Sequence, residues 1–254
     1  MKIKQLCFVS GVALATLATA SAAQAALVVV PPGLAPGAQY RLVFVTDGTR
    51  DATSFNIADY NTFVTNQVTG SALATALTTA GFNPNTTTWT AIASTRASGS
   101  IVAVNARDNT GTNPSSPGVP IYLIDGNRVA NNNTDLWDGS IIRSINVTQS
   151  GATTPTAGAA VWTGTNQSGV VSPGTTDTNG LGGTTGFAMT GLTNLTTANW
   201  IFNNTTNRTN TRRLYGMSSV LKVPVLEIPE PSSLLGYITL GGLMLGGAVR
   251  KARK

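Results

Sequence analysis

The sequence predicts one α+β domain with long loops, flanked by a targeting segment at each end. Apolar residues recur at helical spacing only between about residues 57 and 80, whereas short strand-like apolar clusters recur from residue 40 to residue 225. Connections rich in Asn, Thr, Ser and Gly separate these clusters. Because helices come early and strands are mostly late, the pattern favours α+β over alternating βαβ units.

The first elements have clear boundaries. A strand is predicted over 40–45 and ends at Asp47-Gly48. A helix is predicted from Ile57 to Val68, with Ser54 and Asn56 as candidate caps, and a second helix over 71–80. The strands predicted after them are 89–93, 101–104, a hairpin of 119–124 and 128–129, then 160–163, 200–202, 214–217 and 220–225. Long loops are predicted over 109–118, 150–158 and 164–186.

The N-terminal 25 residues have the pattern of a secretory signal peptide. Lys2 and Lys4 precede an apolar stretch over 6–20, and Ala23-Gln24-Ala25 is a small-x-small cleavage site. Signal peptidase would therefore release a chain that begins at Ala26. The single cysteine, Cys7, lies within this segment, so the exported portion has no disulfide framework.

The C-terminal segment 228–254 has three parts in a fixed order. Pro229, Glu230 and Pro231 are followed by an uncharged apolar run over 234–249 and then by a basic end, Arg250-Lys251-Ala252-Arg253-Lys254. A helix of this length rises roughly 24 Å, so it could span the roughly 30 Å hydrocarbon core with snorkelling of the flanking basic side chains. The basic end favours the cytoplasmic side, which places the preceding domain outside. An ordinary anchor or a buried apolar helix remains the alternative.

This arrangement resembles the PEP-CTERM sorting signal. The resemblance implies recognition by a membrane protease of the exosortase class and cleavage near 229–231. It also implies a transmembrane anchor before processing, and a cell-surface or extracellular location afterwards.

Charge and composition exclude several functions for the exported segment 26–227. Of the 16 Lys and Arg residues, two lie in the signal peptide and four at the basic end, so ten remain between these two clusters, where they balance the ten acidic residues, Glu230 included. Without a basic surface, nucleic acid is not expected as a partner. The chain contains no histidine, which excludes Ser/His/Asp triads, Cys/His dyads and zinc hydrolysis through His ligands.

A series of short motifs covers about residues 41–225 in a characteristic order. They are Ile57-Ala58-Asp59-Tyr60, Trp89-Thr90-Ala91-Ile92, Val119-Pro120-Ile121-Tyr122-Leu123, Leu136-Trp137-Asp138-Gly139-Ser140, Val161-Trp162-Thr163-Gly164-Thr165 and Leu214-Tyr215-Gly216-Met217-Ser218. Their order and spacing resemble the endostatin-like domain, a variant of the C-type-lectin fold, and its bacterial relatives. The resemblance implies the fold. The animal domain's zinc site and disulfides cannot be present, and the Glu-Pro-Asn, Gln-Pro-Asp and Trp-Asn-Asp tripeptides of calcium lectins do not occur.

The candidate ligand-binding residues are Asp135, Trp137 and Asp138. An aromatic ring beside carboxylates can stack on a sugar, and a carboxylate pair is also the remaining route to hydrolysis. The alternative is that Trp137 belongs to the core and that both aspartates cap a turn. No cofactor is predicted, although the 135–138 segment and Asp177-Thr178-Asn179-Gly180 could supply oxygen ligands for a structural calcium ion.

The leading functional prediction is a non-catalytic, exosortase-processed protein of the cell surface or extracellular matrix. Family association links such proteins to exopolysaccharide and biofilm, which makes extracellular polysaccharide a candidate partner. A calcium-independent glycan-binding module is the second prediction, and a carboxylate-dependent hydrolase the third.

Overall fold

A mixed β-sheet forms the centre of the molecule. The computed structural model describes residues 27–155, 157–174 and 178–225, and the structural statements below concern these residues. In chain order the elements are β1 Gln39–Val45, α1 Ile57–Val68, α2 Ala72–Thr79, β2 Trp89–Ala91, α3 Ala106–Asn109, β3 Ile121–Leu123, β4 Arg128–Ala130, α4 Asn133–Leu136, β5 Ala160–Trp162, β6 Phe187–Leu192, a 3₁₀ turn Ala198–Trp200, β7 Asn204–Asn207, β8 Arg213–Ser218 and β9 Leu221–Lys222.

The strand order is β4-β3-β1-β8-β5-β6-β7, with β2 also paired to β8 and β9 also paired to β1. Most pairs are antiparallel, but β1 runs parallel to β3, and β5 runs parallel to β8. The first and last strands pair through Tyr40 and Leu221, so the sheet joins the two ends of the described segment. The mixed α and β class expected from the sequence is therefore observed.

Two early helices lie where the sequence predicts them, α1 packed on β2 and β8 and α2 packed on α1. Asn56 caps α1, its side-chain oxygen accepting a hydrogen bond from the Ala58 amide at 3.1 Å. The helix buries Tyr60, Val64 and Val68, one residue per turn, and leaves its other face polar. Ser71 caps α2 in the same way.

Two predicted strands are not strands in the structure. Residues 101–104 form only isolated bridges, because Ser98 and Ile101 bond to each other across a tight turn at Gly99, where φ is +56°. Ile101 and Val102 are consequently 44% and 74% exposed. The apolar cluster at 200–202 begins at the last residue of the 3₁₀ turn, Trp200, whose side chain is buried in the core.

Four elements of the structure lack the sequence pattern that would predict them. Strand β6 reads Phe-Ala-Met-Thr-Gly-Leu, whose apolar residues do not alternate with polar ones, and β7 reads Asn-Thr-Thr-Asn, with no apolar residue. The helices α3 and α4 are single turns, too short to show helical periodicity.

The core lies on both sides of β1 and β8. Its largest fully buried side chains are Trp162, Trp200, Tyr40, Tyr60, Tyr215 and Phe44. Gly216 allows α1 to approach β8, because a Cβ there would lie 2.6 Å from both Phe44 and Val64. Within the described ranges, no helix combines the length and apolar character needed to cross a membrane.

Candidate functional site

Several predicted sites fall outside the described residues. The signal peptide over 1–25, the sorting residues Pro229, Glu230 and Pro231, and the apolar run over 234–249 all lie there. Asp177, the first residue of one candidate calcium loop, also lies outside the described ranges.

Trp137 lies in the core. Its indole is only 5% exposed and packs against Trp200, with ring centroids 6.0 Å apart and planes tilted by 31°. The indole Nε1 donates to the carbonyl and hydroxyl oxygens of Thr112, each at 3.0 Å. Gly169 closes over the ring with φ at +77°, and a Cβ there would lie 2.8 Å from the indole. The ring therefore has no open face on which a sugar could stack.

The aspartates beside Trp137 cap local backbone. Asp135 Oδ2 accepts a hydrogen bond from the Asn131 amide at 2.6 Å, while the Asn132 side chain caps the Asp135 amide at 2.9 Å. Asp138 Oδ1 accepts from the amide and hydroxyl of Ser140, at 3.1 and 3.3 Å. These contacts match the alternative that the sequence left open, in which the tryptophan is core and the aspartates hold a turn.

The other described aspartates also have local partners. Asp51 accepts from Thr53, Asp59 from the Ser54 hydroxyl, Asp108 from Asn105 and Asn113, and Asp125 from Asn127, whereas Asp47 lies 3.5 Å from Arg213. The bonds from Asn105 and Asn113 lower the pKa of Asp108 below its ordinary value. In the described part of the chain, no group of three or more His, Cys, Asp or Glu residues is placed to hold a metal ion.

The buried tyrosines do not provide an acid or base near neutral pH. Burial raises the pKa of Tyr60 and Tyr215 well above the ordinary value for a phenol. Their hydroxyls donate to the backbone carbonyls of Ser54 and Trp200, at 2.9 and 3.2 Å. Both side chains therefore remain neutral and structural.

Open space lies along the polar face of α1 instead. A groove of about 510 Å³ separates this face from the loop over 84–88, and a smaller cavity of about 130 Å³ adjoins it. The side chains along the helix wall are Asn61, Thr62, Thr65, Asn66 and Thr69. Trp89, at the start of β2, lines both spaces and is only 3% exposed. We call the two spaces together the α1 groove.

Side-chain hydrogen bonds fix the helix wall of the groove to the sheet. The Asn61 side-chain oxygen accepts from the Ala91 amide at 2.8 Å, and Asn109 donates to the Ala91 carbonyl at 2.8 Å. Thr65 donates to the Trp89 carbonyl at 3.2 Å. The polar face of α1 is thereby held against the edge of β2.

The loop wall is stabilised by Asn83, the residue that precedes it. The Asn83 side chain accepts from the Asn85 amide at 3.0 Å, and the hydroxyls of Thr86 and Thr87 donate to the Asn83 carbonyl. The two walls are thus formed before any ligand arrives.

Several polar groups in the α1 groove have no internal partner. Thr62, Asn66 and Asn85 are exposed, and their side chains make no hydrogen bond to another described residue. The Trp89 Nε1, in contrast, is fully buried and does not face the open space, and it has no hydrogen-bond acceptor within the described structure. Among the described residues that line the groove, none carries a charge, so its chemistry is neutral hydrogen bonding.

Sequence reasoning did not identify this groove. The sequence did contain one indication of it. An uncharged Asn/Thr stripe runs along α1 and its C-cap, opposite the buried stripe, and consists of Asn61, Thr62, Thr65, Asn66 and Thr69. The second wall comes from a separate segment, and its position depends on tertiary contacts. No family model matches the chain, and the comparison with curated proteins gives no significant match.

Proposed function

We propose that this chain is an exported, non-catalytic protein of the cell surface or extracellular matrix. Signal peptidase would remove 1–25, and an exosortase-type protease would cleave near Pro229–Pro231 after the domain has crossed the membrane. The observation that carries the proposal is the C-terminal order of Pro-Glu-Pro, apolar run and basic end, combined with a signal peptide at the other end.

The structure of the intervening segment supports this order of events. The described residues have their own core, and the pairing of β1 with β9 joins the two ends of the domain. Neither targeting segment is needed to complete this sheet. Loss of both segments would therefore leave the domain intact in the exported compartment.

Local structural roles for the carboxylates support a non-catalytic domain. General acid–base catalysis near neutral pH needs a histidine or a carboxyl whose pKa is raised by its environment. The chain has no histidine, and each described aspartate contacts a nearby amide, hydroxyl or guanidinium group. Hydrogen bonds from Asn105 and Asn113 lower the pKa of Asp108, the opposite of what a general acid near neutral pH needs.

We further propose that the domain is a variant of the C-type-lectin fold related to the endostatin-like domain. The motif order supports this, because the helix that contains 57–60 precedes β2, and the motifs at 161–165 and 214–218 contribute the neighbouring strands β5 and β8. An experimental structure should superpose on endostatin-like domains over 41–225. Agreement limited to one or two elements would contradict the relationship.

Processing can be tested in the native host by exchanging one carboxylate. Glu230→Ala should block C-terminal cleavage, so that a larger form accumulates in the membrane fraction. Glu227→Ala is the matched control, since it removes a carboxylate three residues earlier and outside the Pro-Glu-Pro triplet. Normal processing of the Glu230→Ala chain would contradict sorting through this motif.

A further inference from the structure

We propose that the α1 groove binds an uncharged saccharide. The site differs from the Asp135, Trp137 and Asp138 segment, whose polar groups are satisfied internally. The proposal goes beyond export and processing and does not depend on them, because it concerns only the folded domain.

The charge of the lining selects the class of ligand. The described residues around the groove contribute amides, hydroxyls, small apolar groups and one tryptophan. An anionic or cationic ligand would lose hydration there without gaining an ion pair. A neutral ligand with many hydroxyl groups does not incur that cost.

The hydrogen-bond pattern of the groove suits hydroxyl groups. Thr65 and Thr69 each donate their only hydroxyl proton to a backbone carbonyl, at 3.2 Å, so their oxygens remain as acceptors. The side-chain amides of Asn66 and Asn85 both donate and accept, and both side chains are exposed. A ligand must therefore donate and accept at closely spaced points, as sugar hydroxyls do.

An extended peptide fits the same groove less well. Peptides that add to a sheet bond to the free backbone groups of an edge strand. Here β2 pairs with β8 on one side, and on the α1 side three of its backbone groups are occupied by side chains. The Asn61 side chain accepts a hydrogen bond from the Ala91 amide, and the Asn109 side chain donates one to the Ala91 carbonyl. The Thr65 hydroxyl donates to the Trp89 carbonyl. Side chains thus close this edge to strand addition while leaving amides at the surface.

The size and rigidity of the groove are consistent with a small ligand. A volume of about 510 Å³ lies within the usual range of roughly 300–1,000 Å³ for small-molecule sites. Since both walls are held by internal hydrogen bonds, little ordering is needed on binding.

The test is calorimetric titration of the full-length protein with cellotriose, maltotriose, mannotriose and chitotriose. The detergent should be zwitterionic, because a maltoside headgroup would compete for the site. At least one trisaccharide should bind, and Asn66→Ala and Asn85→Ala should each weaken that binding about fivefold, as expected for one lost hydrogen bond.

The matched control is Asn203→Ala. Asn203 is an exposed amide next to β7, at the far end of the sheet order from β1 and β8, and it does not line the groove. Its replacement should leave the affinity unchanged. The proposal is overturned if none of the four trisaccharides binds the folded protein, or if the groove variants bind as tightly as Asn203→Ala. Binding of an uncharged peptide in place of the sugars would overturn it as well. Each of these outcomes leaves C-terminal processing unaffected, so the two proposals fail separately.

Discussion

The α1 groove and the segment 135–138, which we call the Trp137 turn, contain the same kinds of residue and use them in opposite ways. Each combines a buried tryptophan with polar side chains on a short helix or loop. At the Trp137 turn the indole Nε1 and the neighbouring carboxylates all bind nearby groups of the protein. In the groove, the exposed side-chain amides of Asn66 and Asn85 have no partner within the described structure.

The difference shows that residue type alone does not identify a binding site. A polar group that is already bonded inside the protein contributes to stability, and its loss costs free energy of unfolding. An unbonded group beside open space contributes little to stability and remains available to a ligand. The two regions should therefore respond in opposite ways to mutation.

The largest effect is expected at Trp137. Trp137→Ala should lower the free energy of unfolding by about 3–5 kcal/mol, because it leaves a cavity beside Trp200 and removes the bifurcated hydrogen bond from the indole N–H to Thr112. Urea denaturation measures the change. Trp137→Phe, which retains an aromatic ring, should lower the free energy of unfolding by less. A loss below about 0.5 kcal/mol for the alanine variant, as is usual for surface positions, would mean that the indole is exposed after all.

A smaller loss is expected at Asp135. Asp135→Ala removes the acceptor for the Asn131 amide, at 2.6 Å, next to the first turn of α4. We expect the free energy of unfolding to fall by about 0.5–2 kcal/mol, the usual cost of removing a hydrogen bond that caps a helix. The same denaturation experiment applies, with Asp135→Asn as the near-isosteric control. An unchanged midpoint would show that this contact contributes nothing to stability.

The dependence of stability on pH should come from the acidic range. Hydrogen bonds from Asn105 and Asn113 lower the pKa of Asp108 in the folded state below its unfolded value of about 3.9. The stabilisation is fully present above that unfolded value and is lost as pH falls through the lower folded pKa. Since the chain has no histidine, the melting temperature should vary little between about pH 5 and pH 8.

This origin of the acid sensitivity can be checked by unfolding at pH values from about 5 down to about 2. Asp108→Asn should reduce the loss of stability on acidification, and Asn113→Ala, which removes one of the two donors, should reduce it less. An acid response identical in all three proteins would exclude Asp108 as a contributor.

No measurable effect on stability is expected from the groove amides. Asn66→Ala and Asn85→Ala should change the free energy of unfolding by less than about 0.5 kcal/mol, since neither side chain bonds to another described residue. Thermal melts of both variants beside the parent provide the measurement. A loss comparable to that of Asp135→Ala would reveal a structural role and weaken the contrast between the two regions.

The sequence predicted the parts of the fold that local patterns determine. The helix Ile57–Val68 and the strand Gln39–Val45 have strong periodicity or continuous apolar character, and both are found close to the predicted bounds. Strand β7, with no apolar residue, forms because β6 pairs with it, and no local pattern reports such pairing. Trp200 shows the reverse case, an apolar cluster that enters the core without a strand.

The candidate site was harder to predict than the fold. Asp135, Trp137 and Asp138 are close in sequence, but burial of the ring and the direction of each carboxylate depend on Thr112, Asn131 and Ser140. The α1 groove is formed by two segments separated by α2, and its free amides can be recognised only once every internal hydrogen bond is known.

The central claim is that the domain is exported and then separated from both targeting segments. The most direct measurement is the intact mass of the protein isolated from its native host. The account predicts a chain that begins at Ala26 and ends close to the Pro229-Glu230-Pro231 triplet. A mass that includes the basic end 250–254 would contradict it.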